Sequence, residues 1–163
     1  MDNNYISGFV DGEGTFHICF QRRSDLKYNW QVVPEFHINQ NGTSKNVLEK
    51  IRNILDCGYI KRNDGKSEKD KTLVYVVRRK KDLLEKVIPF FEKYPLWTEK
   101  RNDFLKFKEV LKMMDKDQHL VDKGFRKIVD IAFSMNAEGI YRRIKKEQIL
   151  STYGSSETIR QAT

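Results

Sequence analysis

The sequence predicts an α+β fold in which a helix, two strands, a helix, two strands and a helix (αββαββα) build a four-stranded antiparallel, saddle-shaped sheet, with further helices at the C-terminus. Three observations lead there. Bulky apolar residues recur at helical spacing over 5–10, 47–55 and 83–91, and at every second position over 15–21 and 30–38. Turn-forming pairs such as Asn41-Gly42 and Asp64-Gly65 punctuate these runs. From Thr98 onward only the helical period returns. A chain of 163 residues holds one such domain with a real core and is too short for two ordinary ones.

Taken in order, Tyr5, Ile6, Phe9 and Val10 put apolar groups on one side of the first helix, while Ser7, Gly8 and Gly12 leave another side bare. A helical glycine costs about 0.5–1 kcal/mol relative to alanine, so two of them four apart point to a second helix whose backbone comes very near. At Gly12-Glu13-Gly14 the period changes to two: Phe16, Ile18 and Phe20 alternate with Thr15, His17, Cys19 and Gln21. After a polar turn over 22–27, a second extended run from Tyr28 to Gln40 sets Trp30, Val32, Pro34, Phe36 and Ile38 against Asn29, Gln31, Val33, Glu35, His37 and Asn39. Pro34 predicts a bulge or a partial edge there. Thr43 or Ser44 caps a helix to about Leu55, with Val47, Leu48, Ile51, Ile54 and Leu55 in its stripe and Gly58 as its stop. Strands over 59–63 and 72–79 follow, joined by an exposed, charged hairpin tip over 66–71. Asp82 starts a third helix that Pro89 kinks or restarts. Then come the stripes Phe104, Phe107, Val110, Leu111, Met114 and Val121, Phe125, Ile128, Val129, Ala132. The expected division is a core over 1–97, helices over 98–154 and a flexible tail over 155–163. Asn136-Ala137-Glu138-Gly139 mimics the earlier helix end, but no strand pair follows it.

Composition narrows the function. Hydrophobic residues make up 39% and mean hydropathy is −0.69, a charge-rich chain that is not disordered. No apolar run approaches the ~20 residues that span a bilayer, and the first residues carry no signal-peptide pattern. The expectation is a protein that works where it is made, neither secreted nor membrane-bound. The net charge of +8, from 31 Lys+Arg against 23 Asp+Glu, favours a polyanionic partner. Cys19 and Cys57 are the two cysteines and form no CxxC or Cys/His cluster, so both read as free thiols in a reducing compartment.

The nonapeptide Ile6-Ser7-Gly8-Phe9-Val10-Asp11-Gly12-Glu13-Gly14 resembles the LAGLIDADG motif of the homing endonucleases position for position, and the following strands with the run 33–40 fit the same family. One motif implies a half-enzyme, which the family completes by pairing motif helices. The resemblance places Ser7, Gly8, Asp11 and Gly12 at a homodimer interface, with Asp11 in structural or capping bonds. It makes Glu13 the acid that holds a divalent metal over a DNA phosphate, with the Gly12 carbonyl as a second ligand. The metal would be Mg²⁺, with Mn²⁺ or Ca²⁺ as structural substitutes, since hard cations take oxygen ligands and leave room for phosphate. Gln40 corresponds to the polar residue near the metal-bound water and Lys100 to the basic residue.

A polar strand face is ordinarily a solvated surface. Beside the motif, His17, Cys19, Gln21, Arg23, Gln31, Glu35 and His37 read instead as side chains for base edges in a major groove, extended by Lys61, Asn63 and Arg78. Arg142 and Arg143, in a basic patch near the C-terminus, would grip phosphates without reading sequence. The expected function is therefore a site-specific, intron-encoded endonuclease that cuts double-stranded DNA at a long, near-palindromic target. Its compartment would be a chloroplast, a mitochondrion or a prokaryotic or archaeal cytoplasm. Two alternatives stay open: an RNA maturase that binds intron RNA without cleaving, and a non-catalytic DNA-binding regulator.

Overall fold

The computed structural model describes residues 1–26, 28–63, 71–137 and 142–151. Helix α1 (Asn3–Glu13) runs straight into β1 (Gly14–Arg22), which pairs with β2 (Trp30–Asn41). Helix α2 (Lys45–Leu55) leads to β3 (Tyr59–Arg62) and β4 (Thr72–Val77). A continuous helical stretch follows: α3 (Lys80–Asp82), a π turn (Leu83–Val87) and α4 (Ile88–Lys93). Then come α5 (Lys100–Asp115) and α6 (Asp122–Phe133), with a last helical turn over 146–151. The predicted αββαββα order with C-terminal helices is the order observed. The four strands are antiparallel neighbours in the order β1-β2-β4-β3, so β1 and β3 are the edges.

One face of the sheet is packed. Phe16 sits at its centre, stacked on Phe36 with ring centroids 4.8 Å apart and met by Phe91, Phe104 and Phe107 at 5.4–5.5 Å. The alternation read from sequence puts Phe16, Ile18, Phe20, Trp30, Val32, Phe36 and Ile38 into this core, which continues through Ile6, Val10, Leu48, Phe107 and Phe125 as far as Ile149.

Several local expectations change in the structure. Tyr5 is exposed and stacks on Phe9 at 6.0 Å, while Ile6 and Val10 are fully buried and Phe9 packs partly against the core. Ser7 is buried, its hydroxyl donating to the Tyr94 carbonyl at 2.7 Å, so the side of α1 that carries Ser7 faces inward. Pro34 causes no bulge: the β1–β2 register is unbroken, and β4 begins to pair only at Phe36, so β2 has a neighbour on one side alone where the proline falls. Ser44 takes the N-cap position of α2, as one of the two expected residues, but its side chain makes no capping bond; Asn41 caps the short turn before it (Gly42–Ser44), accepting from the Thr43 amide at 3.0 Å. Asp56, at φ 50°, ends α2, while Gly58 (φ 72°) is needed two residues later, where a Cβ would lie 2.5 Å from the Val76 carbonyl. The third helical stretch starts at Lys80 rather than Asp82, and it widens into the π turn immediately before Pro89, whose ring would collide with a carbonyl in a regular turn. Of the expected stripes, Ile54 and Val121 turn out exposed. The hairpin tip from 66 to 70, Glu138-Gly139 and the tail over 155–163 lie outside the described residues.

Candidate active site and nucleic-acid interface

The end of α1 is fixed by its own backbone. The Gly14 amide donates to the Val10 carbonyl, and a Cβ on Gly14 would stand 2.5 Å from Val10 Cγ1 and 2.8 Å from Val10 O. The helix can therefore pass into β1 only through glycine. Glu13, the last helical residue, is exposed, and its carboxylate makes no hydrogen bond to a described residue. Next to it, Gly12 is exposed, and Lys100 Nζ, at the start of α5, donates to its carbonyl at 3.5 Å and closely to that of Gly14. Burial lowers the Lys100 pKa, against the upward pull of Asp11, Glu13 and Asp103.

Asp11 explains why Lys100 sits there. Its carboxylate accepts from the Trp97 amide (2.8 Å), the Thr98 amide (3.2 Å) and the Thr98 hydroxyl (2.8 Å), tying the chain that enters α5 to α1. The contacts of Asp11 are structural bonds, one of the two kinds expected for it. Gln40 lies two residues past Ile38, the partner of Gly14, at the same end of the sheet as Glu13, and its Oε1 accepts from the Asn41 amide at 2.7 Å. On the outer side of α1, a Cβ placed on Gly8 or Gly12 would meet nothing within 4 Å. Of the interface positions expected, Gly8 and Gly12 lie open, Asp11 is engaged within the protomer, and Ser7 is turned inward.

The donor set at the helix end, a carboxylate and a backbone carbonyl at the surface, suits a hard divalent cation. A second group, His17, Cys19 and Glu35, brings its ligand atoms within 4.8 Å of one another. Both Glu35 oxygens are already engaged there, and an arginine supplies the positive charge a cation would bring, so that group is a hydrogen-bonded network.

The uncovered face of the sheet carries the predicted polar row. His17, Cys19 and Gln21 on β1 stand opposite Glu35, Val33 and Gln31 on β2, with His37 beside them. Val33, Val74 and Val76 are buried among these polar chains, so the face is less uniformly polar than its sequence implied for β2 alone. Arg23 is bound by Asp25 at 2.8 and 2.9 Å and reaches Gln31 Oε1 at 3.3 Å, so its charge is largely spent within the turn. Burial, followed by the charge of Glu35, raises the Cys19 thiol pKa, so Cys19 faces this surface as a neutral group. Lys61 and Asn63 are exposed on and just beyond β3.

Arg142 departs from its predicted place. Its guanidinium donates to the Ile18 and Ala132 carbonyls, both at 2.7 Å, and lies 4.9 Å from the Phe133 ring centre. Asn136 Nδ2 donates to the Phe16 carbonyl at 2.9 Å. With Lys100 on Gly14, three side chains from distant parts of the chain satisfy alternate outward carbonyls of edge strand β1, which protects an edge from pairing with another chain. Arg143 is exposed and lines a cleft of about 520 Å³ beside β1 together with Thr15, His17 and Cys19. Sequence reading missed the contacts of Asn136 and Thr98, because neither carries a charge or a periodicity that marks a partner 120 or 87 residues away.

A profile of the LAGLIDADG endonuclease family matches residues 6–111. The chain belongs to this family. A probable intron-encoded endonuclease of Neurospora crassa is 31% identical over 137 residues, 83% of this chain, and the chain spans only 29% of that relative's length. The homing endonuclease I-TnaI has a crystal structure that superposes with TM-score 0.80 at 35% identity, covering 96% of this chain and 98% of that one. I-SmaMI, solved on an uncleaved DNA target in the presence of calcium ions, superposes with TM-score 0.77 at 27% identity over 83% of this chain but 45% of its own. The LAGLIDADG helix is therefore α1, with Glu13 as its terminal acid. Among the described residues, no helix is long and apolar enough to cross a membrane.

Proposed function

We propose that two copies of this chain pair through the open glycine face of α1 and cut both strands of a specific, long and nearly palindromic DNA duplex, with divalent metal held at Glu13. The observation that carries this reading is the exposed Glu13 at the end of α1, flanked by the Gly12 carbonyl and by Lys100, on a helix whose outer side is bare at Gly8 and Gly12. Its match to almost all of I-TnaI and to less than half of I-SmaMI is what a unit working in pairs would give. Pairing sets two Glu13 carboxylates side by side, one for each DNA strand.

Mg²⁺ bound by Glu13 and the Gly12 carbonyl would neutralise phosphate charge and acidify a water. Lys100, anchored through Asp11 and the carbonyls of 12 and 14, places a further positive charge beside the reacting phosphate. Gln40 orients a water from the adjacent strand end. The names of the fungal relatives and the absence of any membrane-spanning helix among the described residues support an intron-encoded protein acting where it is made.

The test is incubation of the purified chain with duplex from around its own coding locus, in Mg²⁺ and in Ca²⁺. The expected result is discrete double-strand cleavage in Mg²⁺ alone. Glu13→Gln should remove cleavage by more than the roughly 100-fold that loss of an outer-layer partner costs, with DNA binding in Ca²⁺ unchanged. Tight binding of intron RNA with no DNA cleavage would overturn the proposal.

A further inference from the structure

One row crosses the middle of the uncovered face. His17 on β1 is the register partner of Glu35 on β2, and one step past the Phe36–Val77 pair the same ladder sets Arg78 opposite Glu35 from the β4 side. His37, two residues along β2, points the same way, its ring 4.6 Å from that of His17. All three converge on one carboxylate. His17 Nε2 bonds Glu35 Oε2 at 3.0 Å, His37 Nε2 lies 3.0 Å from the same oxygen, and Arg78 Nε contacts Oε1.

Glu35 is 8% exposed, one of two buried polar residues among those described. Burial pushes its carboxyl pKa up, but the contacts and charge of His17 and His37 outweigh this and hold it well below the usual carboxylate range. An ionised carboxylate on a surface that meets a polyanion is repelled unless its charge is cancelled and its lone pairs are used. Here both are done by neighbours. Little accepting capacity is left for a base.

Arg78 is the opposite case. Its side chain is 41% exposed, with Nε held against Glu35 Oε1. A guanidinium pinned at one end by a carboxylate has lost most of its freedom before binding, while its other end keeps parallel donors that match guanine O6 and N7. The position also matters, since β2 and β4 are the inner strands, away from the rims where phosphates would lie.

We infer that Arg78 is a guanine-reading residue of each half-site, and that Glu35 is its positioning residue rather than a base contact. This rests on the DNA-cleaving reading above and adds to it which base is read and by what device.

Binding selection from randomised duplexes in Ca²⁺ tests it. The wild-type chain should select guanine at one position related by two-fold symmetry in the two half-sites. Arg78→Ala should relax that position alone, by roughly ten- to a hundred-fold in preference. Arg78→Lys, which keeps the charge and loses the planar fork, should hold overall affinity yet not restore the preference. Glu35→Gln should weaken the same position by about tenfold, without altering preferences elsewhere, in a chain shown folded by its melting curve. A uniform loss of affinity across all sequences in Arg78→Ala, with a salt slope lower by about one, would make Arg78 a phosphate contact and overturn the inference alone. No sequence selection by the wild-type chain would overturn the DNA-cleaving reading and this inference together.

Discussion

The two faces of the sheet are built from the same four strands by opposite means. On the covered face, Phe16, Phe36, Phe91, Phe104 and Phe107 interlock, and the energy lies in shape and area. On the uncovered face, His17, Glu35, His37 and Arg78 are gathered by polar contacts to the one carboxylate. The contrast repeats on α1, where Ile6 and Val10 are buried and Gly8 and Gly12 are bare. Both thus spend one side on folding and keep the other organised but unspent, which is what the proposed pairing and duplex binding would require.

Substitutions should separate the two sides. The largest effect on stability belongs to Phe16→Ala, which leaves a cavity among four rings and should cost about 3–5 kcal/mol in chemical denaturation. The base preferences of whatever folded protein remains should be unchanged. Gly8→Leu should come next and act only on pairing. The protomer has room for the side chain, so its melting temperature should hold or rise, whereas a tight helix-to-helix contact would be overpacked by about 1–3 kcal/mol, read as dimer dissociation in sedimentation. A dimer untouched by Gly8→Leu would place the pairing surface elsewhere.

The smallest effect is one of pH. Because the Glu35 carboxyl is held below its ordinary range in the folded state, its ionised form contributes stability that is present above the unfolded-state pKa and lost as pH falls through the folded one. The stability difference between the wild-type chain and Glu35→Gln should therefore be constant at neutral pH. It should shrink only in acid, below the usual carboxylate range, in denaturation curves taken as a pH series.

The element order and the acid at the helix end were legible because both are local. Helix and strand periods are written over a dozen residues, and the nonapeptide 6–14 contains its own reason for its last glycine, as the collision of a Gly14 Cβ with Val10 shows. Lys100 was legible only through family resemblance. What brings it to the helix end is the bond from Asp11 to Thr98, a contact across 87 residues that no spacing announces.

By itself, then, the sequence determined which segments are helix or strand, which strand face is apolar, and that a lone carboxylate ends a glycine-notched helix, since all of these follow from side-chain period and backbone sterics. Tertiary structure alone decided the strand order β1-β2-β4-β3, the inward turn of Ser7, the withdrawal of Arg142 and Asn136 to the β1 edge, and the closing of two histidines and an arginine on Glu35. The physical reason is the same for each: a polar group takes whichever partner the packed core brings within 3 Å, and that partner can come from anywhere in the chain.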